Sequence, residues 1–199
     1  MIDVTDTLID LIRHGEPEGG RRYRGHGCDD PLSEKGWRQM WDAVGDACPW
    51  TLIICSPMRR CRAFADALAE RHGLQVHEDT RLREVGFGDW EGRTRDQIEP
   101  EEYERFYDDP VNNRPVGAEP LDAFGRRVGA ALDEAARRHA GEHLLIPAHA
   151  GVIRAAIGHV LKTDPIHWYR TRVPNAAITR FHVGKRGPEL VFVNRRTVA

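Results

Sequence analysis

Short runs of apolar residues, each followed by a turn, form the most regular pattern in this chain. Three runs stand out: Leu8 to Ile12, Leu52 to Cys55 and Leu144 to Ala148. Apolar runs of this length that are bounded by turn signals are typical of strands buried in a sheet. We therefore predict three buried strands, each leading into a tight turn with polar residues, glycine or proline.

Apolar residues at helical spacing predict helices around these strands. Amphipathic patterns occur near Arg60 to Arg71, behind the second strand, and near Val152 to Leu161, behind the third. A further helix is predicted from Leu121 to His139, where apolar residues recur every three or four positions. Those residues are Phe124, Val128, Ala131, Leu132 and Ala135.

The end of the chain has the pattern of two more strands. They are predicted at Ala177 to Val183 and Leu190 to Asn194, joined at Gly184 to Pro188. Strands that alternate with helices favour an α/β fold. We predict a three-layer α/β/α architecture with a mostly parallel central sheet. Residues 1–199 are expected to form a single domain, because a chain of this length has room for one sizeable core.

Charge and composition exclude several functional classes. The formal net charge is −2, from 29 basic and 31 acidic residues, which is too balanced to indicate a nucleic-acid or membrane partner. No apolar stretch approaches the ~18 residues of a membrane span, and the acidic N-terminus does not resemble a signal peptide. We therefore expect a cytoplasmic protein that binds neither nucleic acid nor membranes. A homodimer is neither indicated nor excluded.

The usage of cysteine and arginine bears on the kind of ligand. None of the four cysteines forms a CxxC pair, so no zinc site is expected. Arginine far outnumbers lysine, and arginine binds phosphate bidentately. A phosphate ligand explains this bias, and the base composition of the genome explains it equally well. The cysteines are Cys28, Cys48, Cys55 and Cys61, and the only lysines are Lys35, Lys162 and Lys185.

Histidines and arginines follow the three predicted buried strands. Arg13 and His14 follow the first, Ser56 to Arg60 the second, and His149 the third. In open α/β sheets, ligands bind beyond the carboxyl ends of the strands. An imidazole among guanidinium groups suits phosphoryl transfer, because a neutral histidine can attack phosphorus while the cations stabilise the developing charge. The cations keep the pKa of the histidine from rising, and a carboxylic acid can protonate the leaving group.

Four segments resemble the motifs of one known family, in the order in which that family has them. They are Leu11 to Glu16, with its Arg-His-Gly, then Ser56 to Arg60, Leu82 to Gly92, and Ala148 to Arg154. The chain is thereby similar to the histidine phosphatases, also called the phosphoglycerate-mutase-like superfamily. The resemblance spans most of the chain and is specific as a set. It implies an open α/β sheet with helices on both faces, and catalysis without a metal or another cofactor.

The resemblance also implies a role for each matching residue. His14 would be the nucleophile, and Arg13, Arg60 and His149 would bind the transferred phosphoryl group. Glu84 would be the proton donor, by its position in the motif, although Glu91 is a nearby competitor. On a helix that carries Arg60, the neighbouring Arg59 and Arg62 would point elsewhere, towards solvent.

Two positions depart from the family's pattern. Pro17 stands where the family often has threonine, and Gly20 where it often has asparagine. Both missing side chains usually help to hold phosphate, and backbone N–H groups of the glycine-rich loop, which includes Gly20, are candidates to replace them. Arg21 and Arg24, with Arg22 between them, are either a solvated cluster or further contacts to the substrate.

Within the family, two stretches resemble bacterial α-ribazole-5′-phosphate phosphatases of cobalamin synthesis: Gly19 to Gly25 and Asp29 to Trp37. The resemblance favours a phosphomonoesterase whose partner is a small phosphorylated metabolite. The short span between Glu84 and His149 also favours a phosphatase over a mutase, which usually carries a longer insertion there.

Three alternative functions stay open: a phosphoglycerate mutase, a catalytically inactive module that binds a phosphorylated ligand, and a phosphatase of phosphohistidine proteins. The last requires an open site. We expect a partly covered site, because the loop from Asp108 to Pro120 and the arginine cluster of the Gly15 to Pro31 loop would lie over it.

Overall fold

The core of the protein is one six-stranded sheet. A computed structural model describes residues 6–198. The strands are β1 (Thr7–Arg13), β2 (Leu52–Cys55), β3 (Gln75–Glu78), β4 (His143–Ala148), β5 (Ile178–Gly184) and β6 (Gly187–Arg195). They lie in the order β3-β2-β4-β1-β5-β6. The first four strands pair in parallel, whereas β5 pairs antiparallel with both β1 and β6.

The described residues form five α-helices, and short 3-10 helices occupy several of the connections. The helices are α1 (Glu34–Val44), α2 (Arg59–His72), α3 (Pro100–Asp108), α4 (Leu121–Arg138) and α5 (Ala150–Leu161). Within the part of the chain that the structure describes, no helix is long and apolar enough to cross a membrane.

Alternate residues of the central strands face two separate apolar cores. On β2, Leu52 and Ile54 pack with α4 and α5 on one side of the sheet. Ile53 and Cys55 pack with α1 and α2 on the other side. Because successive side chains of a strand point to opposite faces, a central strand covered on both faces is apolar throughout. The predicted three-layer α/β/α architecture with a mostly parallel sheet is confirmed.

Element boundaries differ slightly from the predictions, and three elements lie where the apolar pattern predicts none. α2 and α5 begin one or two residues earlier than predicted, and the last two strands meet in a tighter turn at Lys185 and Arg186. β3 is an edge strand with only Val76 half-buried, so it lacks an apolar run. Ser33 caps the N-terminus of α1, because its hydroxyl oxygen accepts a hydrogen bond from the N–H of Gly36. The third unpredicted element is α3.

A buried carboxylate lies at the centre of the sheet. The side chain of Asp10, on β1, is fully buried and accepts hydrogen bonds from Trp50 Nε1 at 2.9 Å, from His143 Nε2 at 2.9 Å and from the guanidinium of Arg180 at 2.7 Å. Burial alone would raise the pKa of Asp10, but hydrogen bonds from Arg180, His143 and Trp50 outweigh it and hold the pKa below its ordinary value. Asp10 therefore ties β1 to both of its neighbouring strands.

The pairing of β1 with β4 brings two histidines together. In register, Arg13 lies opposite Ala148, so His14 and His149 leave the sheet side by side. The N–H of His14 donates to the carbonyl oxygen of Ala148 at 3.0 Å. Behind His14, Gly15 approaches α1 so closely that a Cβ on Gly15 would lie 2.2 Å from the carbonyl oxygen of Gly36. The glycine after His14 is therefore a requirement of packing.

Candidate active site

The two histidines lie side by side at the carboxyl ends of β1 and β4. Their ring centroids are 5.2 Å apart and their planes are inclined by 63°. Both are buried, His14 at 6% exposure and His149 at 0%. The carboxyl ends of β1 and β4 thus deliver both imidazoles to the sheet edge at which the sequence predicts a ligand site.

The hydrogen bonds of His14 decide its tautomer. Its Nδ1 lies 2.7 Å from the carbonyl oxygen of Gly15. A carbonyl oxygen only accepts, so Nδ1 must carry the proton, which leaves the lone pair on Nε2. The main chain of His14 is also held, because Asn175 Nδ2 donates to its carbonyl oxygen at 3.0 Å. The result is an oriented imidazole whose second nitrogen, Nε2, has a free lone pair.

Burial and positive neighbours keep both imidazoles uncharged. Burial lowers the pKa of His14 well below its ordinary value, and the charges on Arg13 and Arg60 lower it further, against the opposing effect of the Gly15 hydrogen bond. Burial likewise lowers the pKa of His149 well below its ordinary value, with Arg60 as the next largest cause. Both rings are therefore neutral near pH 7.

A serine of the second motif positions His149. Ser56 Oγ lies 2.8 Å from His149 Nε2, and both groups are fully buried. The same hydroxyl oxygen accepts from the N–H of Met58 at 3.4 Å. Cys61 Sγ lies 3.6 Å from His149 Nε2. The motif that carries Arg60 thus also fixes the second histidine, a role that the sequence did not assign to Ser56.

Arg13 and Arg60 are anchored by main-chain carbonyl groups. Arg13 Nη1 donates to Val173 at 2.6 Å, whereas Arg60 donates from Nη1 to Cys28 at 2.9 Å and from Nη2 to Gly25 at 3.0 Å. Within residues 6–198, the Nε atom of each arginine is buried without a hydrogen-bond partner. Unpaired buried donors are costly and uncommon, so an anionic ligand that accepts from them would relieve this cost.

Glu84 is held against the N-terminus of α5. Its carboxylate accepts from the N–H of Val85 at 2.9 Å and from the N–H of Gly151 at 3.2 Å. A Cβ on Gly151 would lie only 2.2 Å from Glu84 Oε1, so glycine permits this approach. The competitor Glu91 lies elsewhere: its Oε1 accepts from the N–H of Phe87 at 2.9 Å and packs against Gly25.

These residues surround one cavity of about 480 Å³. His14 and Glu84 both line it, whereas His149 lies behind His14 and is not part of the lining. The cavity is strongly cationic, because six arginines line it against two acidic residues, Glu16 and Glu84. The arginines are Arg13, Arg21, Arg22, Arg24, Arg60 and Arg154.

The Gly15 to Pro31 loop forms one side of the cavity and is organised around Arg24. This guanidinium donates to Asp30 at 2.8 Å and to the carbonyl oxygens of Glu18 at 2.6 Å and Gly20 at 2.8 Å. The guanidinium of Arg24 is thus hydrogen-bonded within the loop itself, whereas the sequence had indicated Arg24 as a candidate contact to the substrate. Arg21 is exposed and lines the cavity, as does Gly20.

The other expected cover of the site is not observed. Of the residues from Asp108 to Pro120, none is among those that line the cavity in the described part of the chain. That segment packs against residues 86–89, where Arg114 Nη2 donates to the carbonyl oxygen of Gly86 at 2.7 Å and the guanidinium of Arg114 lies 5.5 Å from the ring of Phe87. Contrary to the expectation, the loop lies behind the lining residue Phe87 and contributes no side chain of its own to the cavity lining.

Several lining residues were not predicted. Arg154 lies in the quoted fourth motif but received no role, and Asn175 lies in a loop without any pattern. The structure also describes no cluster of three or more His, Cys, Asp or Glu residues between positions 6 and 198 that is arranged to hold a metal ion. Four further lining residues without a predicted role are aromatic: Tyr23, Phe87, Tyr107 and Tyr169.

Comparison with known proteins agrees with this arrangement. Residues 9–196 match the histidine phosphatase superfamily (branch 1). A probable phosphoglycerate mutase of Klebsiella pneumoniae is 33% identical over 179 residues, covering 85% of this chain and 82% of that protein. An adenosylcobalamin/alpha-ribazole phosphatase of Salmonella typhimurium is 29% identical over 195 residues, covering 94% and 96%.

A solved structure extends the similarity to three dimensions. The mycobacterial glucosyl-3-phosphoglycerate phosphatase has a TM-score of 0.82 with this chain at 28% identity, and the match covers 95% of this chain and 99% of that one. The family match spans nearly the whole sequence, in keeping with the four motifs and the shared fold. This chain therefore belongs to the histidine phosphatase superfamily, in its branch 1.

Proposed function

We propose that this protein is a metal-independent phosphomonoesterase that transfers the phosphoryl group of a small metabolite to His14 and then to water. One observation carries the proposal. The N–H of His14 at Nδ1 is bound by the Gly15 carbonyl oxygen, which leaves Nε2 unprotonated at a cavity lined by Arg13, Arg60 and Glu84.

In the first step, Nε2 of His14 attacks phosphorus and a P–N bond forms while the P–O bond to the leaving group breaks. Arg13 and Arg60, which line the cavity, stabilise the charge on the phosphoryl oxygens with their guanidinium groups. Glu84, protonated at this stage, gives its proton to the departing alkoxide. His149, which Ser56 holds with its ring 5.2 Å from that of His14, is assigned to the same phosphoryl group on the family resemblance.

In the second step, water attacks phosphorus and the P–N bond breaks. The Glu84 carboxylate now accepts the proton of the attacking water, so that Glu84 is restored to its protonated form and His14 to its neutral form. Inorganic phosphate leaves. The sequence of two displacements consumes one ester and one water and needs no further reactant.

We propose α-ribazole 5′-phosphate as the substrate. Gly19 to Gly25 and Asp29 to Trp37 resemble the enzymes that hydrolyse it, and the Salmonella relative is named for that reaction. The second candidate is a phosphoglycerate mutase, supported by the name of the Klebsiella relative. A mutase has to retain its phosphoenzyme and therefore needs a covered site. Between Glu84 and His149, the cavity lining in the described part of the chain consists of Phe87 and Tyr107, so this segment covers little of the site.

Phosphate release in the presence of a chelator tests the proposal. We expect the parent to hydrolyse α-ribazole 5′-phosphate with a kcat/KM at least a hundredfold above that for 3-phosphoglycerate, a difference of about 2.7 kcal/mol. His14→Ala should abolish release. A matched control is His77→Ala, because His77 is exposed on β3 and lies outside the cavity.

Each alternative predicts a different result. A mutase would isomerise 3-phosphoglycerate and depend on a bisphosphate primer, with little release of phosphate. An inactive binding module would bind phosphorylated ligands in both the parent and His14→Ala without any turnover. Loss of the parent's activity in chelator would contradict the phosphohistidine mechanism itself.

A further inference from the structure

Four aromatic side chains line the cavity and have no part in the transfer described above. They come from four separate segments: Tyr23 from the glycine-rich loop, Phe87 from the segment behind Glu84, Tyr107 from α3, and Tyr169 from the 3-10 helix Pro165–Arg170. We refer to these four residues as the aromatic wall.

The members of the aromatic wall contact one another. The ring of Tyr23 lies 5.1 Å from that of Phe87, and its hydroxyl oxygen lies 3.0 Å from that of Tyr107. The rings of Tyr107 and Tyr169 are 6.1 Å apart at 84°. Edge-to-face contacts at such distances are favourable, so the wall is a continuous surface.

A buried aromatic core holds the wall rigid. Phe106 is fully buried, and its ring lies 6.2 Å from Phe87, 5.0 Å from Tyr107 and 5.1 Å from Tyr169. Outside this core, Tyr107 is 42% exposed. Phe106 therefore serves packing, whereas Tyr107 lines the cavity with part of its ring exposed and its hydroxyl group paired with that of Tyr23.

The aromatic wall lies on the side of Glu84, at which the alcohol portion of the substrate departs. Phe87 follows Glu84 by three residues. Glu84 and Tyr169 line the same cavity. The guanidinium of Arg154 lies 5.2 Å from the Tyr169 ring and donates to the Thr171 carbonyl oxygen, which holds that ring in place.

Building on the phosphatase function proposed above, we infer that the aromatic wall binds the alcohol portion of the substrate and selects phosphomonoesters that carry a planar ring, such as a nucleoside-like group. A planar ring stacks favourably on aromatic side chains, whichever hydrogen-bonding groups the ring carries. A small phosphorylated acid has no ring for this surface and would depend on the arginines alone.

A matched pair of substrates tests the inference. Adenosine 5′-monophosphate differs from ribose 5-phosphate by its planar base, so the ratio of their kcat/KM values isolates the ring. We expect a ratio of about ten or more in the parent, which corresponds to ~1.4 kcal/mol. Tyr107→Leu should reduce the ratio several-fold, whereas Tyr107→Phe, which keeps the ring, should preserve it. Tyr107 is half exposed, so its replacement spares the core.

Binding separates failure of this inference from failure of the proposed function. The dissociation constants of the same two ligands are measured by calorimetry on His14→Ala, which does not depend on turnover. If neither ester is hydrolysed by the parent but the adenine ligand still binds at least tenfold more tightly, the phosphatase proposal fails and the aromatic subsite stands. A ratio near one in both assays, or a preference for 3-phosphoglycerate over both, would overturn the subsite.

Discussion

The two adjacent arginines at the start of α2 show how one residue position separates a site from the surface. Arg60 is 1% exposed and binds two main-chain carbonyl groups, whereas Arg59 is exposed. Helical geometry predicts this separation, since neighbouring residues on a helix point about 100° apart. The sequence also predicted His14, His149, Arg13 and Glu84 in one place, and the structure places them there.

Replacement of Arg60 by lysine tests the importance of its fork-shaped guanidinium. A lysine keeps the charge but has a single ammonium group, which cannot bind Gly25, Cys28 and a phosphoryl oxygen in this planar geometry. We expect Arg60→Lys to lower kcat/KM by about 10²–10³, the usual effect of removing one donor to transition-state charge. Arg59→Lys, assayed beside it for phosphate release, should retain the parent value. Equal losses in both variants would contradict this role.

The roles of other residues of the site could not be predicted from the pattern of apolar and polar residues in the sequence. Arg24 lies in a cluster of arginines, and only its hydrogen bonds to Asp30, Glu18 and Gly20 show that it organises the loop. Ser56 contacts His149 across 93 positions of the chain. Contacts between distant segments depend on the packed fold and leave no local trace in the sequence.

Among the elements, the buried ones were predictable and the peripheral ones were not. β1, β2 and β4 are apolar because both of their faces are covered, and α4 and α5 have an apolar stripe towards the sheet. β3 lies at the sheet edge, so its side chains are free to be polar. Its existence follows from its pairing with β2, which no periodicity encodes.

The junction of α1 with the His14 loop gives a prediction at the scale of elements. A Cβ on Gly36 would lie 2.1 Å from the carbonyl oxygen of Glu16, and main-chain atoms cannot move as a flexible side chain does. We expect Gly36→Ala to lower the free energy of unfolding by about 1–3 kcal/mol and to lower kcat, because the contact lies next to His14.

The control for this junction is Lys35→Ala. Lys35 pairs with Glu16 at 2.8 Å, but its side chain is 59% exposed, and exposed ion pairs contribute only about 0–1 kcal/mol. Urea denaturation and steady-state kinetics would be measured on both variants. The close contact would lose its importance if Gly36→Ala were as stable and as active as Lys35→Ala.

For the molecule as a whole, the neutral buried histidines link stability to pH. The pKa values of His14 and His149 are lower in the folded protein than the ordinary value of 6.5. Below pH 6.5 the unfolded chain therefore binds protons that the folded chain does not, and stability falls as the pH falls. The slope reaches about 1.4 kcal/mol per pH unit for each histidine.

We expect the free energy of unfolding, measured in urea between pH 8 and pH 5, to decrease as the pH is lowered from 6.5 to 5. His14→Asn and His149→Gln should each make the dependence shallower, because neither amide titrates. Asp10 does not contribute in this range, since its lowered pKa supplies stability that is lost only when the pH falls below about 4. Identical slopes in the parent and both variants would show that other groups cause the loss.

The buried carboxylate of Asp10 has a consequence for the accuracy of the distant catalytic geometry. Arg180 lies opposite Asp10 on β5, and His143 reaches it from β4. A slip of β1 by one residue would turn Asp10 to the other face of the sheet, away from its three donors, and would shift His14 by about 3.3 Å relative to His149. Asp10 therefore favours the correct strand register: a chain with β1 shifted by one residue loses the buried ion pair, so the arrangement that misplaces the two histidines is also the less stable one.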